Sequence, residues 1–364
     1  MKLGIVGIAG RGAAFARSVK GTDFFEIHAV CDISEEGLKK GMETCGVEKG
    51  YISYDEMLEE SGIEAVVVGT PMHLHAEMAI KALTKNIHVL SEVTAAVSIE
   101  QCRELVAAAN ESKALYMMGE NYTFIKPNMT VKGLVDKGLF GETYYAEGEY
   151  LHDCTALLDK TPWRKKWQYG INGLTYCTHS LGPTLQWFPG DRVISVSCVG
   201  TGHHYLDKDG NKYEQEDSTM MMCRLRGGGL IRIRQDFLSA RPHAMTNYSL
   251  QGTEGSYESA RASTQEPRIW LKSRNEEPNE WENLFDLGEE YTPEIWKDEE
   301  ALEKVGHGGG DLIELFHFRD AILGKVICNL GIHQALDLTL TGLISQESIK
   351  QDGAWLEVPD SRDW

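Results

Sequence analysis

The chain has 364 residues, 42% of them hydrophobic and 25% charged, which suffices for two soluble globular domains with sizeable cores. A formal charge of −19 repels polyanions and argues against nucleic acid or an anionic membrane surface as a partner. No apolar run reaches the roughly eighteen residues of a membrane span, and the eight cysteines are scattered without a Cys-x-x-Cys pair, so neither a disulfide framework nor a metal site is expected. Met1-Lys2 leads straight into an apolar run with no cleavable leader ahead of it, which predicts a cytoplasmic protein.

In chain order, residues 2–8 read as a buried strand that Gly7-Ile8-Ala9-Gly10-Arg11-Gly12 turns into a helix. Glycines let a backbone approach a pyrophosphate, and the helix start offers it N–H groups. Glu26 to Cys31 reads as the second strand, with Asp32 at its end, where a carboxylate would accept from ribose hydroxyls. Ile33 and Ser34 follow, with no arginine for a 2′-phosphate, so NAD is favoured over NADP. Helices near 34–45 and 54–61 precede the strand Ala65 to Val68, and Thr70-Pro71-Met72-His73-Leu74-His75 opens another helix. His73 and His75 either touch the cofactor or cap and pack the helix start. Strand Ile87 to Leu90 runs into Glu92-Val93-Thr94-Ala95-Ala96, and a helix near 98–112 leads to the strand Leu115 to Met118, before Glu120-Asn121. This alternation predicts a doubly wound parallel sheet, a Rossmann domain over 1–121. Its ligand would lie beyond the carboxyl ends of the strands, which places Gly7–Gly12, Asp32, Thr70, Pro71, His73, His75, Glu92, Val93 and Asn121 at the cofactor.

After residue 121 the pattern changes. A helix near 121–138 is followed by strands near 142–152, 192–201, 217–226, 229–238, 246–252 and 255–259, most with period-two alternation. Gly227-Gly228-Gly229 marks either a hairpin turn or a flexible loop. His203-His204 reads as part of a hairpin loop rather than a metal site. Tyr176 and His179 stand three apart ahead of a Gly182-Pro183 stop, and a helix there would put phenol and imidazole on one face. Residues 275–306 form an acidic, Trp-bearing excursion expected at the surface, helices near 311–324 and 331–350 follow, and Trp355 to Val358 is an expected edge strand. The second domain, 122–364, is thus an α+β unit with a large, open, mainly antiparallel sheet, for substrate binding and oligomerisation, its last helices packing back on the first domain. One sheet face would cover the active site. The other would bury its apolar side in a homo-oligomer, a dimer or higher.

A Rossmann start with Thr-Pro-x-x-x-His resembles the Gfo/Idh/MocA oxidoreductases, whose usual Glu-Lys-Pro is here Glu92-Val93-Thr94, without the lysine that assists proton transfer. Further motifs resemble glycoside hydrolase family 109, whose members are α-N-acetylgalactosaminidase-like. They are Glu92-Val93-Thr94-Ala95-Ala96, Gly119-Glu120-Asn121, Tyr150-Leu151-His152-Asp153, Trp163-Arg164, Tyr176-Cys177-Thr178-His179 through Gly182-Pro183, and His307-Gly308-Gly309-Gly310-Asp311. The similarity spans nearly the whole chain. It departs at Thr94, which replaces a proline, and in a shorter connection from Arg164 to Tyr176.

The resemblance implies an NAD-dependent glycosidase. It would oxidise the sugar at C3, eliminate across C1–C2, add water and re-reduce. Tyr150, His179 and Tyr176 become the catalytic candidates, Tyr150 toward C2 and His179 toward the C3 hydroxyl, with the two roles interchangeable at this level. Glu120, Arg164, His307 and Asp311 become substrate-binding candidates, with Tyr176 helping to orient the ring. His152 and Asp153 read as a local hydrogen-bonded pair supporting the site. Two other functions share these residues: a glycoside or sugar 3-dehydrogenase that stops at the ketone, and a non-catalytic NAD-binding sensor.

Overall fold

The computed structural model describes all residues except 21, 159, 243–244, 263, 275–279, 292 and 297–306, and the side chains of 289 and 307. The chain forms two compact units. The first takes Met1–Asn121, the described part of 300–336, and Ser361–Trp364. The second takes the described part of 122–299 and Asp337–Asp360.

In the first unit the described residues form a six-stranded parallel sheet, in the order β3-β2-β1-β4-β5-β6. The strands are β1 (Lys2–Val6), β2 (Glu26–Cys31), β3 (Gly50–Tyr51), β4 (Ala65–Val68), β5 (His88–Glu92) and β6 (Tyr116–Gly119). That order is the doubly wound Rossmann arrangement. β4 and β6 are buried along their whole length, as strands covered on both faces must be. The connecting helices are α1 (Gly12–Val19), α2 (Glu35–Cys45), α3 (Tyr54–Glu60), α4 (His75–Thr84) and α5 (Ile99–Glu111). Ser34, Ser53 and Ser98 cap α2, α3 and α5, each hydroxyl accepting from the N–H three residues on. Helix Gly310–Ile322 also belongs to this unit.

The second unit holds α6 (Lys126–Asp136), α7 (Thr155–Leu158), α8 (Pro162–Trp167) and α9 (Thr178–Leu185). Its sheet has nine described strands, in the order β14-β13-β12-β11-β7-β10-β9-β8-β15. They are β7 (Thr143–Leu151), β8 (Val193–Gly200), β9 (Ser218–Leu225), β10 (Leu230–Asp236), β11 (Met245–Gly252), β12 (Gly255–Glu258), β13 (Arg268–Leu271), β14 (Glu282–Asn283) and β15 (Leu356–Glu357). Every pair is antiparallel except β7 with β10. Helix α9 packs on β7, β10 and β11.

Several local expectations change. The helix expected over 121–138 is broken into a 3-10 turn, Asn121–Phe124, and α6, with Ile125 extended between them. Pro127 sits in the first turn of α6, where its missing N–H costs nothing, but it cannot continue a helix from before. Gly182-Pro183 does not stop a helix: both lie inside α9, and Tyr176 stands in the turn before it. The expected surface excursion is partly anchored, because Trp296 is buried and its indole N–H donates to Phe124 O at 3.2 Å. The sheet face turned away from α9 is not apolar along β7 and β10. Arg232 there bridges Glu147 at 2.5 Å and Glu149 at 3.3 Å.

Candidate active site

The loop after β1 is shaped by Gly7, whose φ is +82° and where a Cβ would meet Gly69 O at 2.5 Å. Gly7 N–H donates to Cys31 O at 2.9 Å, and Gly12 N–H donates back to Gly7 O at 3.1 Å, closing the turn at the head of α1. Ala9 N–H donates to Asp32 Oδ2 at 2.8 Å and Ser34 N–H to Oδ1 at 3.0 Å, so the loop and the end of β2 share one carboxylate. Ile8 is buried beneath the loop, while Gly10 is exposed at its rim. Beside Asp32, Ile33 is 89% exposed.

Arg11 leaves this loop to join three elements. Its Nε donates to Glu92 Oε1 at 2.5 Å, at the end of β5, and its two terminal nitrogens donate to both Asp311 oxygens at 2.8 and 2.7 Å. Asn121 Nδ2 adds a third bond to Asp311, at 2.8 Å. Asp311, expected at the substrate, is therefore held by Arg11 and Asn121. One turn along, Glu314 is fully buried, and among the described residues neither of its carboxyl oxygens has a hydrogen-bond partner. Burial, then Asp311, Glu92 and Glu120, hold that carboxyl well above its usual value, against the pull of Arg11. Glu120 itself is buried beyond β6.

His75 is buried, its Nδ1 2.8 Å from Thr94 O and its Nε2 2.8 Å from Thr70 O, so the ring links the loops after β4 and β5. Burial lowers its pKa, although both carbonyls favour the protonated ring. Thr70 and Pro71 lead into the 3-10 turn that carries the half-buried His73. Val93 is buried, and the Val93–Thr94 peptide is cis. Residue 307 begins a short 3-10 turn, and the His307 side chain lies outside the described residues.

In the second unit, β7 and α9 bring the other candidates together. Gly148 and Tyr150 share the β7 face that meets α9, and a Cβ at Gly148 would lie 2.4 Å from Ser180 O. The missing side chain lets the helix settle on the strand, carrying His179 toward Tyr150. The imidazole then lies against three phenols. Ring centroids are 4.7 Å away for Tyr122, 5.1 Å for Tyr176 and 5.2 Å for Tyr150. Tyr150 and His179 are each only 7% exposed. The Tyr150 hydroxyl lies 3.1 Å from His152 Nδ1. Burial pushes the Tyr150 phenol well above its ordinary value, Tyr176 and Tyr122 push the same way, and Arg164 opposes them. Arg164 stacks on Trp163 at 4.4 Å and donates to Gln168 Oε1 at 2.6 Å. Asp153 accepts from Thr155 N–H at 3.1 Å and from its hydroxyl at 2.7 Å. His204, in the loop before β9, pairs with Asp217 at 2.8 Å.

Residues 1–120 match the oxidoreductase family with an NAD-binding Rossmann fold. Residues 124–363 match the C-terminal domain of glycosyl hydrolase 109. The chain belongs to glycosyl hydrolase family 109. A family 109 protein of Saccharopolyspora erythraea is 26% identical over 389 residues, covering 99% of this chain and 83% of that protein. One from Streptomyces filamentosus is 28% identical over 389 residues, covering 99% of this chain and 77% of its own length. In fold, the chain is similar to a levoglucosan dehydrogenase solved with NADH and levoglucosan, with a TM-score of 0.83, 19% identity and 99% of both chains covered. The first unit is thus an NAD-binding Rossmann domain, and the Gly7 turn and the Asp32 carboxylate fit a dinucleotide.

Sequence reasoning missed Tyr122, His152 as the Tyr150 partner, and Glu314. Tyr122 follows Asn121 directly, and Glu314 stands three residues after Asp311, so each was one step beyond a motif already noticed.

Proposed function

We propose that this member of family 109 is an NAD-dependent glycosidase that works through a transient C3 ketone. What carries the reading is the His179 imidazole set against three phenols, in the unit that matches the glycosidase domain. The Gly7–Gly12 loop and Asp32 would hold the cofactor, with Thr70, Pro71, His73, Val93 and Asn121 around it, while His75, Glu92 and Arg11 brace these loops. When bound, NAD supplies a hydride acceptor for the first step and a hydride donor for the last.

The residues of this chain handle the protons. His179 accepts the C3 hydroxyl proton as the ketone forms and returns it at the end. The ketone acidifies the C2 hydrogen, and Tyr150 is the candidate to remove it. Its phenol is protonated at neutral pH, because burial holds it above the ordinary tyrosine value. Tyr150 can therefore act as a base only while giving up its own proton. His152 Nδ1, 3.1 Å away, is placed to take it, provided that ring carries its proton on Nε2. The same relay runs backward when water adds to the C1–C2 double bond. Tyr176, Glu120 and Arg164 are proposed to hold hydroxyls and orient the ring.

A glycoside 3-dehydrogenase is the second reading, favoured by the same Tyr150 burial, which opposes the one step that distinguishes a glycosidase. Incubation with aryl glycosides in D₂O, with absorbance followed at 340 nm, separates the two. The glycosidase releases aglycone, places deuterium at C2 and accumulates no NADH. Stoichiometric NADH with a 3-keto glycoside would sink it in favour of the dehydrogenase, and tight NAD binding without turnover on a broad panel would favour a sensor.

A further inference from the structure

Helix α9 contains a proline at 183, and proline has no N–H to donate to the carbonyl four residues back. That carbonyl belongs to His179. All eight residues of α9 are buried, away from the bulk water that could stand in for the missing donor. The Tyr248 hydroxyl does: it donates to His179 O at 2.6 Å. Tyr248 lies on β11 directly opposite Gly148 of β7, the residue whose missing side chain admits α9 to the sheet. Its ring is fixed by an edge contact with Trp187, at 6.2 Å and 86°. Sheet and helix thus meet at the backbone of the one residue whose imidazole lies among the three phenols.

We propose that Tyr248 and Pro183 form a positioning pair for His179, the phenol replacing the helix N–H that proline removes and so fixing where the imidazole stands. This rests on His179 being the proton-transfer residue. The pairing predicts a rescue. Tyr248→Phe keeps the ring and removes the hydroxyl that donates to this carbonyl. Pro183→Ala restores the N–H that an uninterrupted helix would aim at the same carbonyl.

The test compares wild type, Tyr248→Phe, Pro183→Ala, the double variant and His179→Ala, by turnover of aryl glycosides and by imidazole ¹⁵N spectra, with His179→Ala assigning the His179 signals. Tyr248→Phe is expected to lower kcat by about 10- to 100-fold with KM changed by less than about threefold, and to shift the His179 ring signals. The double variant should recover most of the lost kcat and return the signals toward wild type. A purely structural bond would lower the melting temperature of Tyr248→Phe and leave kcat and the ring signals in place, which overturns the proposal. So does a folded double variant no better than Tyr248→Phe alone. If His179→Ala itself turns over normally, the catalytic reading of His179 fails instead. On a glycoside panel that gives no turnover, the ring signals decide alone.

Discussion

In the proposed relay a single 3.1 Å contact, between Tyr150 and His152, lets a buried phenol work as a base. Removing His152 forces the phenol to ionise unaided, and burial holds it well above 10. In His152→Ala, deuterium exchange at C2 should fall at least about 100-fold near neutral pH and climb steadily up to about pH 10, while cofactor reduction persists. An unchanged exchange rate would remove His152 from the relay. His179→Ala should behave oppositely, abolishing cofactor reduction yet retaining NAD, since the proposed cofactor residues all belong to the first unit. Normal NADH formation in that variant would mean the imidazole is misassigned. Tyr150, His179 and Tyr176 stood out as candidates because each sits in a motif dense with ionisable types, and their rings do lie together. Tyr122, with its ring 4.7 Å from His179, did not. It lies in the 3-10 turn ahead of the break at Ile125, and the stop that Pro127 places there was passed over in reading 121–138 as one helix.

Helix α9 on β7 is the contact on which the second cluster depends, and Gly148 controls how close it is. A methyl group there would lie 2.4 Å from the Ser180 carbonyl, a backbone atom that cannot swing away. Gly148→Ala should cost about 1–3 kcal/mol of stability through overpacking and lower kcat far more than it raises KM, because the helix lifts with His179 on it. Equilibrium unfolding and steady-state kinetics check both, and wild-type kcat in a well-folded variant would show that the site tolerates the shift. At this scale the sequence was informative where elements were long and regular. The alternating runs of β7 to β11 and the serine-capped helices α2, α3 and α5 emerge close to their observed bounds. β3, β13 and β14 have two to four residues, too few to show a period. Gly182-Pro183 misled because a proline normally ends a helix. Here a tyrosine from β11, 69 residues downstream of His179, satisfies the carbonyl it strips.

Over the molecule as a whole, −19 of formal charge makes carboxyl placement a stability question, and Glu314 is where it is sharpest. Its carboxyl is buried beside Asp311, Glu92 and Glu120, with Arg11 committed to two of them. The folded carboxyl titrates well above the usual 4.5, so between that value and its folded one the native state holds a proton the unfolded chain has lost. Stability from this group is therefore fully present below about pH 4.5 and declines as pH rises, by up to about 1.4 kcal/mol per pH unit. His75 acts with the opposite sign. Burial lowers its folded pKa, so its contribution is intact above about 6.5 and lost as pH falls. A pH profile of wild type alone mixes the two, but His75 is common to wild type and Glu314→Gln and cancels in their difference. Glu314→Gln keeps the shape of the side chain and cannot ionise. Urea unfolding of both proteins without NAD, from about pH 5 to 8, should show the variant gaining on wild type steadily as pH rises. A difference that stays flat across that range would mean Glu314 is ionised in the folded protein, and that Arg11 balances all four carboxylates.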